Sequence, residues 1–242
     1  EISRDQALEL FNSQKIQLEW EKPDQQMFRT HFDLVKQKID SNELSKAVPY
    51  TVTSAPWEYK VSNLESMLCQ SLKEMNGFLY GLWEGEQGVL GLSPEILISQ
   101  DSSEKYRTMA LAGTCAIEDW EMNPDAFEND PKEKAEHFKV VEDIVDQLEN
   151  LGRLEVAELS VATTPQLAHL LTLIQFYPER RTSLERLVTL LHPTPALGTF
   201  PRQAGKELLS QFNRDVPRGS FGAPFGISLS PREADVVVAI RG

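Results

Sequence analysis

A mixed α/β (α+β) domain is predicted by three features of this 242-residue sequence. Apolar residues recur at helical spacing in several long segments. The middle of the chain instead breaks into short β-branched and aromatic runs punctuated by Gly, Pro and Ser. The end returns to strand-like runs. Helices alternating with groups of short, turn-separated strands suit a mixed architecture with antiparallel connections.

Residues 4–15 read as a short helix. After Pro23, Asp24 can cap a second helix whose apolar stripe is Phe28, Phe32, Val35 and Ile39. Residues 46–53 read as a strand, and 62–75 as a third helix with Leu64, Met67, Leu68 and Leu72 in register, ended by Gly77. Short strands are expected at 78–83, 89–92, 96–99 and 106–111. The acidic, proline-containing stretch 117–131 reads as a solvated loop. A helix follows with Phe138, Val141, Ile144, Val145 and Leu148 as its buried face and Gly152 as its stop. Thr182 and Glu185 form a capping-box pattern ahead of 184–191. Pro201 suits the first helical position ahead of 204–212. The last strands are expected at 221–229 and 236–240. With no internal repeat or low-complexity linker, a single domain over 1–242 is expected.

Composition narrows the function. A formal charge of −13 argues against a nucleic-acid or anionic-membrane partner, since either calls for a basic face. A small anionic substrate stays compatible, because a few local cations or a metal can override the global field. Cys69 and Cys115 match no metal or redox spacing and suit a reducing setting. No segment approaches the ~20 apolar residues that span a bilayer, and the N-terminus lacks a signal-peptide pattern. A soluble, cytoplasmic protein is expected.

Several short patterns could carry chemistry. Lys132 to His137 puts two carboxylates and an imidazole within one and a half helical turns. Such a cluster can hold a divalent metal, share a proton, or form the charged first turn of a helix. At about 100° per residue, His137 falls near the apolar stripe, Glu133 at its edge and Glu136 well away from it. Spacing alone favours a solvated Glu136 and a packed His137. Glu95, after Ser93-Pro94 between two strand-like runs, is a positioned acid or a turn residue. Leu111-Ala112-Gly113-Thr114 closes a strand with small residues, which permits close ligand approach or tight packing. Lys46 opens an apolar strand, where burial would lower a lysine's pKa toward that of a base, or where the ammonium simply reaches solvent. His192-Pro193-Thr194-Pro195-Ala196-Leu197-Gly198 is a stiffened loop, and Arg241 ends an apolar strand where it could clamp a carboxylate.

In order along the chain, these patterns resemble the chorismate-utilising enzymes, and among them the isochorismate synthases. The matching pieces are Lys46-Ala47-Val48, Gly91-Leu92-Ser93-Pro94-Glu95, Leu111 to Thr114, Lys132 to His137, Ala168-His169-Leu170, His192 to Leu197, Phe221-Gly222 and Ala239-Ile240-Arg241. A lysine at position 46 resembles members that use water as nucleophile. Ala112 stands where aminodeoxychorismate synthases tend to carry lysine. Relatives related through the same pattern include anthranilate synthase component I and salicylate synthase.

The resemblance implies a fold of two large, mainly antiparallel sheets packed as a sandwich with helices outside. It implies magnesium-dependent conversion of chorismate to isochorismate by water attack at C2 and loss of the C4 hydroxyl. Lys46 would be the general base and Glu95 the general acid. Glu136 would be a magnesium ligand. Gly113, Thr114, His169, Ala196 and Leu197 would line the substrate pocket, and Arg241 would hold the enolpyruvyl carboxylate. Isochorismate synthases feed menaquinone or siderophore biosynthesis, and the chain alone does not distinguish these. A monomer without an amidotransferase subunit is expected. The alternatives are a salicylate synthase and a non-catalytic chorismate-binding protein, the latter because a second metal glutamate expected beyond Arg241 has no counterpart before Gly242.

Overall fold

The computed structural model describes residues 17–57, 60–74, 77–103 and 105–240, with the side chains of 72–74 excepted. The expected helix at 4–15 and Arg241 lie outside the described residues. The element order is α1 (Gln25–Asp40), β1 (Lys46–Ala47), α2 (Val61–Glu74), β2 (Phe78–Glu84), β3 (Gln87–Ser93), β4 (Ile96–Gln100) and β5 (Tyr106–Ala116). Next come α3 (Ile117–Met122), α4 (Pro124–Glu128), α5 (Pro131–Leu148), β6 (Gly152–Val156), β7 (Ser160–Thr163) and β8 (Leu167–Pro178). The chain then runs through α6 (Leu184–Leu191), β9 (Thr199–Phe200), α7 (Arg202–Asp215), β10 (Pro224–Ser230) and β11 (Glu233–Val238).

A seven-stranded antiparallel sheet runs β10-β11-β4-β5-β8-β6, with β7 also paired to β8. The mixed, antiparallel class is as predicted. The described strands divide into this one large sheet and two two-stranded ribbons, β2-β3 and β1-β9, rather than two large sheets. Among the described residues, the β2-β3 hairpin pairs only within itself, and it meets the large sheet through side chains, Tyr80 packing on Phe225 and Val237.

Helices α5 and α6 cover one face of the large sheet. Val140, Ile144 and Leu148 of α5 and Leu187 and Leu191 of α6 bury against Leu97, Ile98, Ala110, Ile174, Phe176 and Val236. Fully burying aliphatic side chains of this size is worth roughly 1.5–3 kcal/mol each. Helix α5 starts where Asp130 accepts from the amides of Lys132 and Glu133, with Pro131 as its first residue. Its core-facing set is His137, Val140, Ile144 and Leu148. Phe138, expected in that set, is half exposed. The stripe is rotated so that His137, which spacing already sets near it, takes the inward position and Phe138 gives way.

The same cause corrects α1. Asp24 caps it as predicted, accepting from Met27 N at 2.9 Å. Its buried residues, however, are His31 and Val35, while Phe28, Phe32 and Ile39 remain exposed. His31 stacks on Phe212 of α7 with centroids 4.2 Å apart and bonds Asp215 at 3.1 Å. Residues 117–131 form two short helices instead of a loop. Asn123 caps the second, and Phe127 buries against Ala168 and Leu170 with Ile117 and Trp120 alongside. The expected strand at 46–53 stops at Ala47, because Pro49 has no N–H to continue a ladder. Ser183, not Thr182, caps α6, and Pro201 is the cap residue of α7 rather than its first turn. No described helix is long and apolar enough to cross a membrane.

Candidate active site

Lys46 is a buried cation held by two partners. Its two-residue strand pairs with Thr199–Phe200, which carries the side chain inward to 7% exposure. The Nζ donates to the carbonyl of Pro195 at 2.7 Å and pairs with Glu136 Oε1 at 3.1 Å. Burial lowers the ammonium's pKa, and the nearby carboxylates of Glu136 and Glu95 oppose that fall.

Glu95 precedes β4. Val238 N donates to its carbonyl at 3.1 Å, and Ser93 Oγ accepts from its amide at 3.2 Å. The side chain is 2% exposed. Burial pushes its carboxyl up to about 7, while the Thr194 hydroxyl and Lys46 pull the other way. Thr194 Oγ1 donates to Oε1 at 3.3 Å. A carboxyl held there can carry or release a proton near neutral pH.

The loop between α6 and β9 supplies a partner to each group. His192 donates Nε2–H to Gly222 O at 2.7 Å, and Leu197 N donates to Thr194 O at 3.1 Å. Ala196 and Leu197 are partly buried and pack against the main core. Behind the loop, Arg202 donates Nε to Asp143 Oδ1 at 2.6 Å and a second bond to Oδ2. It also donates to the carbonyls of Leu190 and Leu191 at 2.7 and 2.8 Å. One guanidinium thus ties α5 to the end of α6 and the start of α7.

A second group of predicted residues meets at the start of α5. The β5-β8 register shifts between Leu111 and Thr114, and Gly113 there has φ +83°. A Cβ at Gly113 would lie 3.1 Å from Leu170 Cδ1 and 3.2 Å from Glu133 O, so the strand approaches the helix closely only because this residue is glycine. Thr114 N donates to Glu133 Oε2 at 3.0 Å, and Thr114 Oγ1 lies 2.9 Å from His169 Nδ1. His137 is packed, as spacing predicted. Its ring nitrogens lie 3.1 Å from Ala112 O and 2.8 Å from Thr172 Oγ1, and burial lowers its pKa.

The structure therefore brings Lys46, Glu95 and Glu136 into one network and Gly113, Thr114 and His169 into another, both anchored on the first turns of α5. Sequence reasoning did not single out Glu133, Thr194, Pro195, Asp143 or Arg202 as site residues. Glu133, Thr194 and Pro195 sit inside quoted motifs, but nothing in one sequence reveals that Thr114 bonds Glu133 across 19 positions or that Thr194 bonds Glu95 across 99.

For a metal, the described residues present no group of three or more His, Cys, Asp or Glu. Glu133 and Glu136 stand three residues apart on α5, offering carboxylate oxygens of the kind a hard cation takes. Magnesium is held by one or two carboxylates while keeping waters, so this pair fits a partial ligand set. At present Glu136 is paired with Lys46 and Glu133 with Lys132 and the Thr114 amide.

The family model described as chorismate binding enzyme matches residues 2–242. The chain belongs to the chorismate-binding enzyme family. The resemblance read from the eight motifs is thereby borne out. This chorismate-binding family member is 31% identical over 214 residues to isochorismate synthase EntC of Escherichia coli (strain K12), covering 84% of this chain and 52% of that protein. It is 32% identical over 177 residues to the salicylate biosynthesis isochorismate synthase of Pseudomonas aeruginosa, covering 70% of this chain and 37% of that one. Among solved structures, MenF, the menaquinone-specific isochorismate synthase from Escherichia coli, superposes with a TM-score of 0.81 at 24% identity, covering 96% of this chain and 54% of that chain. Anthranilate synthase component I from Streptococcus pneumoniae gives 0.80 at 18% identity, covering 95% and 52%. These two likenesses establish the fold. The chain spans about a third to a half of the length of these curated relatives.

Proposed function

We propose that this chain carries isochorismate synthase chemistry, converting chorismate to isochorismate. The observation that carries the reading is that a buried lysine and a buried carboxyl, displaced toward neutrality from opposite directions, are held by adjacent residues of one loop. The likeness to curated isochorismate synthases supports the same assignment. A general base and a general acid whose environments push them this way can both act near pH 7.

In the proposed reaction, neutral Lys46 takes a proton from water as its oxygen bonds to C2 of the ring. The ring double bonds shift, the C4–O bond breaks, and protonated Glu95 delivers its proton to the leaving hydroxyl. One water is consumed and one released. The burial of Lys46 and Glu95 keeps bulk water from short-circuiting the two proton transfers. Gly113, Thr114, His169, Ala196 and Leu197 line the substrate side, and Arg241 holds the enolpyruvyl carboxylate. Glu136, with Glu133 beside it, would hold magnesium, and the bound ion would supply positive charge against the substrate's ring carboxylate. The reading places the protein in a monomeric, cytoplasmic setting without an amidotransferase subunit, as one chorismate-binding domain.

Incubating the protein with chorismate and magnesium and separating the products tests it. Isochorismate is expected, and its absence refutes the reading. Salicylate in its place would identify a salicylate synthase. Lys46→Ala should abolish turnover with an unchanged circular dichroism spectrum; an active variant would remove Lys46 as base.

A further inference from the structure

The residues of the loop that touch the two assigned groups differ in kind. Pro195 meets Lys46 with a backbone carbonyl, which any residue would offer. Thr194 meets Glu95 with a side chain. Thr194 is 4% exposed, so its hydroxyl faces the carboxyl without competing solvent. The neighbours Pro193 and Pro195 restrict the backbone and carry no N–H, and Leu197 N holds the Thr194 carbonyl. The hydroxyl is thus the loop's donor to Glu95. Lys46 on β1 is the charged group acting on that carboxyl. From β11 the contact is the Val238 amide, which reaches the Glu95 backbone carbonyl only.

Resting on the reading of Glu95 as general acid, we propose that Thr194 is a positioning residue that selects which oxygen of Glu95 carries the transferable proton. A hydroxyl that donates to Oε1 leaves Oε2 to bear the acidic hydrogen. When Oε2 gives that proton up, the same hydrogen bond persists to a carboxylate and strengthens. Thr194 therefore both orients the proton and stabilises the product of its transfer. Removing the hydroxyl while keeping the shape makes Glu95 a weaker acid with two equivalent protonation sites.

The test measures kcat and KM against pH with chorismate and magnesium for the wild type, Thr194→Val, Thr194→Ser and Glu95→Gln, with thermal melts as a folding check. Thr194→Val should lower kcat roughly tenfold with little change in KM. It should also move the alkaline limb of kcat upward by about one pH unit. Thr194→Ser should return the limb to its wild-type position. Should the valine variant not fold, Thr194→Ala removes the same hydroxyl and takes its place. A limb that stays put in a folded hydroxyl-less variant, or a serine variant that behaves like valine, overturns the role of Thr194. If Glu95→Gln is inactive in that same experiment, the assignment of Glu95 survives that failure. If Glu95→Gln retains full turnover, the underlying reading falls and the inference with it.

Discussion

Replacing Glu95 with glutamine should stabilise the fold, and increasingly so as pH rises. In the unfolded chain the carboxyl ionises around 4.5, while burial raises it to about 7 in the folded protein. Between those values the folded state retains a proton that the unfolded state has lost. Wild-type stability from this group therefore falls as pH climbs through that window and levels off above it. Each unit of pKa is worth about 1.4 kcal/mol, so the full cost of ionising Glu95 in place is about 3 kcal/mol. Linkage puts about 2 kcal/mol of that between pH 5.5 and pH 8.5. Glutamine keeps the acceptor for Thr194 but has no proton to lose. Whatever fixed cost its amide NH₂ carries is the same at both pH values. Urea unfolding of the wild type and the variant at pH 5.5 and 8.5 isolates the effect, since other titrating groups cancel in the difference. The variant's advantage should widen by about 2 kcal/mol. A gap independent of pH would mean that Glu95 is not held as a neutral acid, and the case for it as proton donor would collapse.

Two further substitutions probe the scaffold of the site. At Gly205 on α7, an added Cβ would fall 1.9 Å from Thr199 Oγ1 and within 2.4 Å of two more of its atoms. Gly205→Ala should cost about 1–3 kcal/mol by overpacking, read as a lower melting temperature; an unchanged Tm would show that α7 does not seat on the strand partnering Lys46. Arg202→Leu leaves Asp143 buried without its guanidinium and should cost about 3–5 kcal/mol in urea unfolding. The double variant with Asp143→Leu should recover much of that loss, and a double variant as unstable as the single would argue against the pair.

The architecture was legible where one physical signal dominated. Short strands between Gly, Pro and Ser are legible because turn chemistry marks their ends, and Asp24 bounds α1 as capping predicts, whereas α5 ends earlier than Gly152, at Leu148 with Glu149 as its cap, and Gly152 opens β6. The misplacements share a cause. His31 and His137 are both fully buried: an apolar stripe that leaves out His31 turns the face of α1 away from the true one, and on α5 a stripe drawn through Phe138 and Val141 misses the inward set of His137 and Val140, although spacing sets His137 beside it. Strand β8, twelve residues long at the heart of the sheet, carries no strand signal in the sequence because its first half is buried on both faces and shows no alternation. For the site, the ordered motifs named Lys46, Glu95 and Glu136, and the fold brings Lys46 beside Glu136. What they could not name were the supports: Thr194 reaches Glu95 across 99 positions and Arg202 reaches Asp143 across 59, and only the folded topology brings such pairs together.

The first turns of α5 show why the charged hexad from Lys132 to His137 resisted a reading by spacing. Glu133, Glu136 and His137 do three different things. Glu133 accepts the Thr114 amide and so holds the end of β5 against the helix. Glu136, three residues on and on the neighbouring side of the same face, pairs with Lys46 on β1. His137, one residue on, drives inward between β5 and β8 to Ala112 and Thr172. A helix that advances about 100° per residue serves three neighbours here because polar residues occupy several positions of its first turns. The bland expectation for this segment, a solvated carboxylate and a packed histidine, holds for the histidine alone. Glu136 is about one-third exposed and already committed to a buried lysine. That makes the Lys46–Glu136 pair the joint between the proposed base and any ion bound at α5. A cation taken up by Glu136 would share its carboxylate with the Lys46 ammonium, so ligand binding at the helix and the charge state of the strand lysine would be coupled through one side chain.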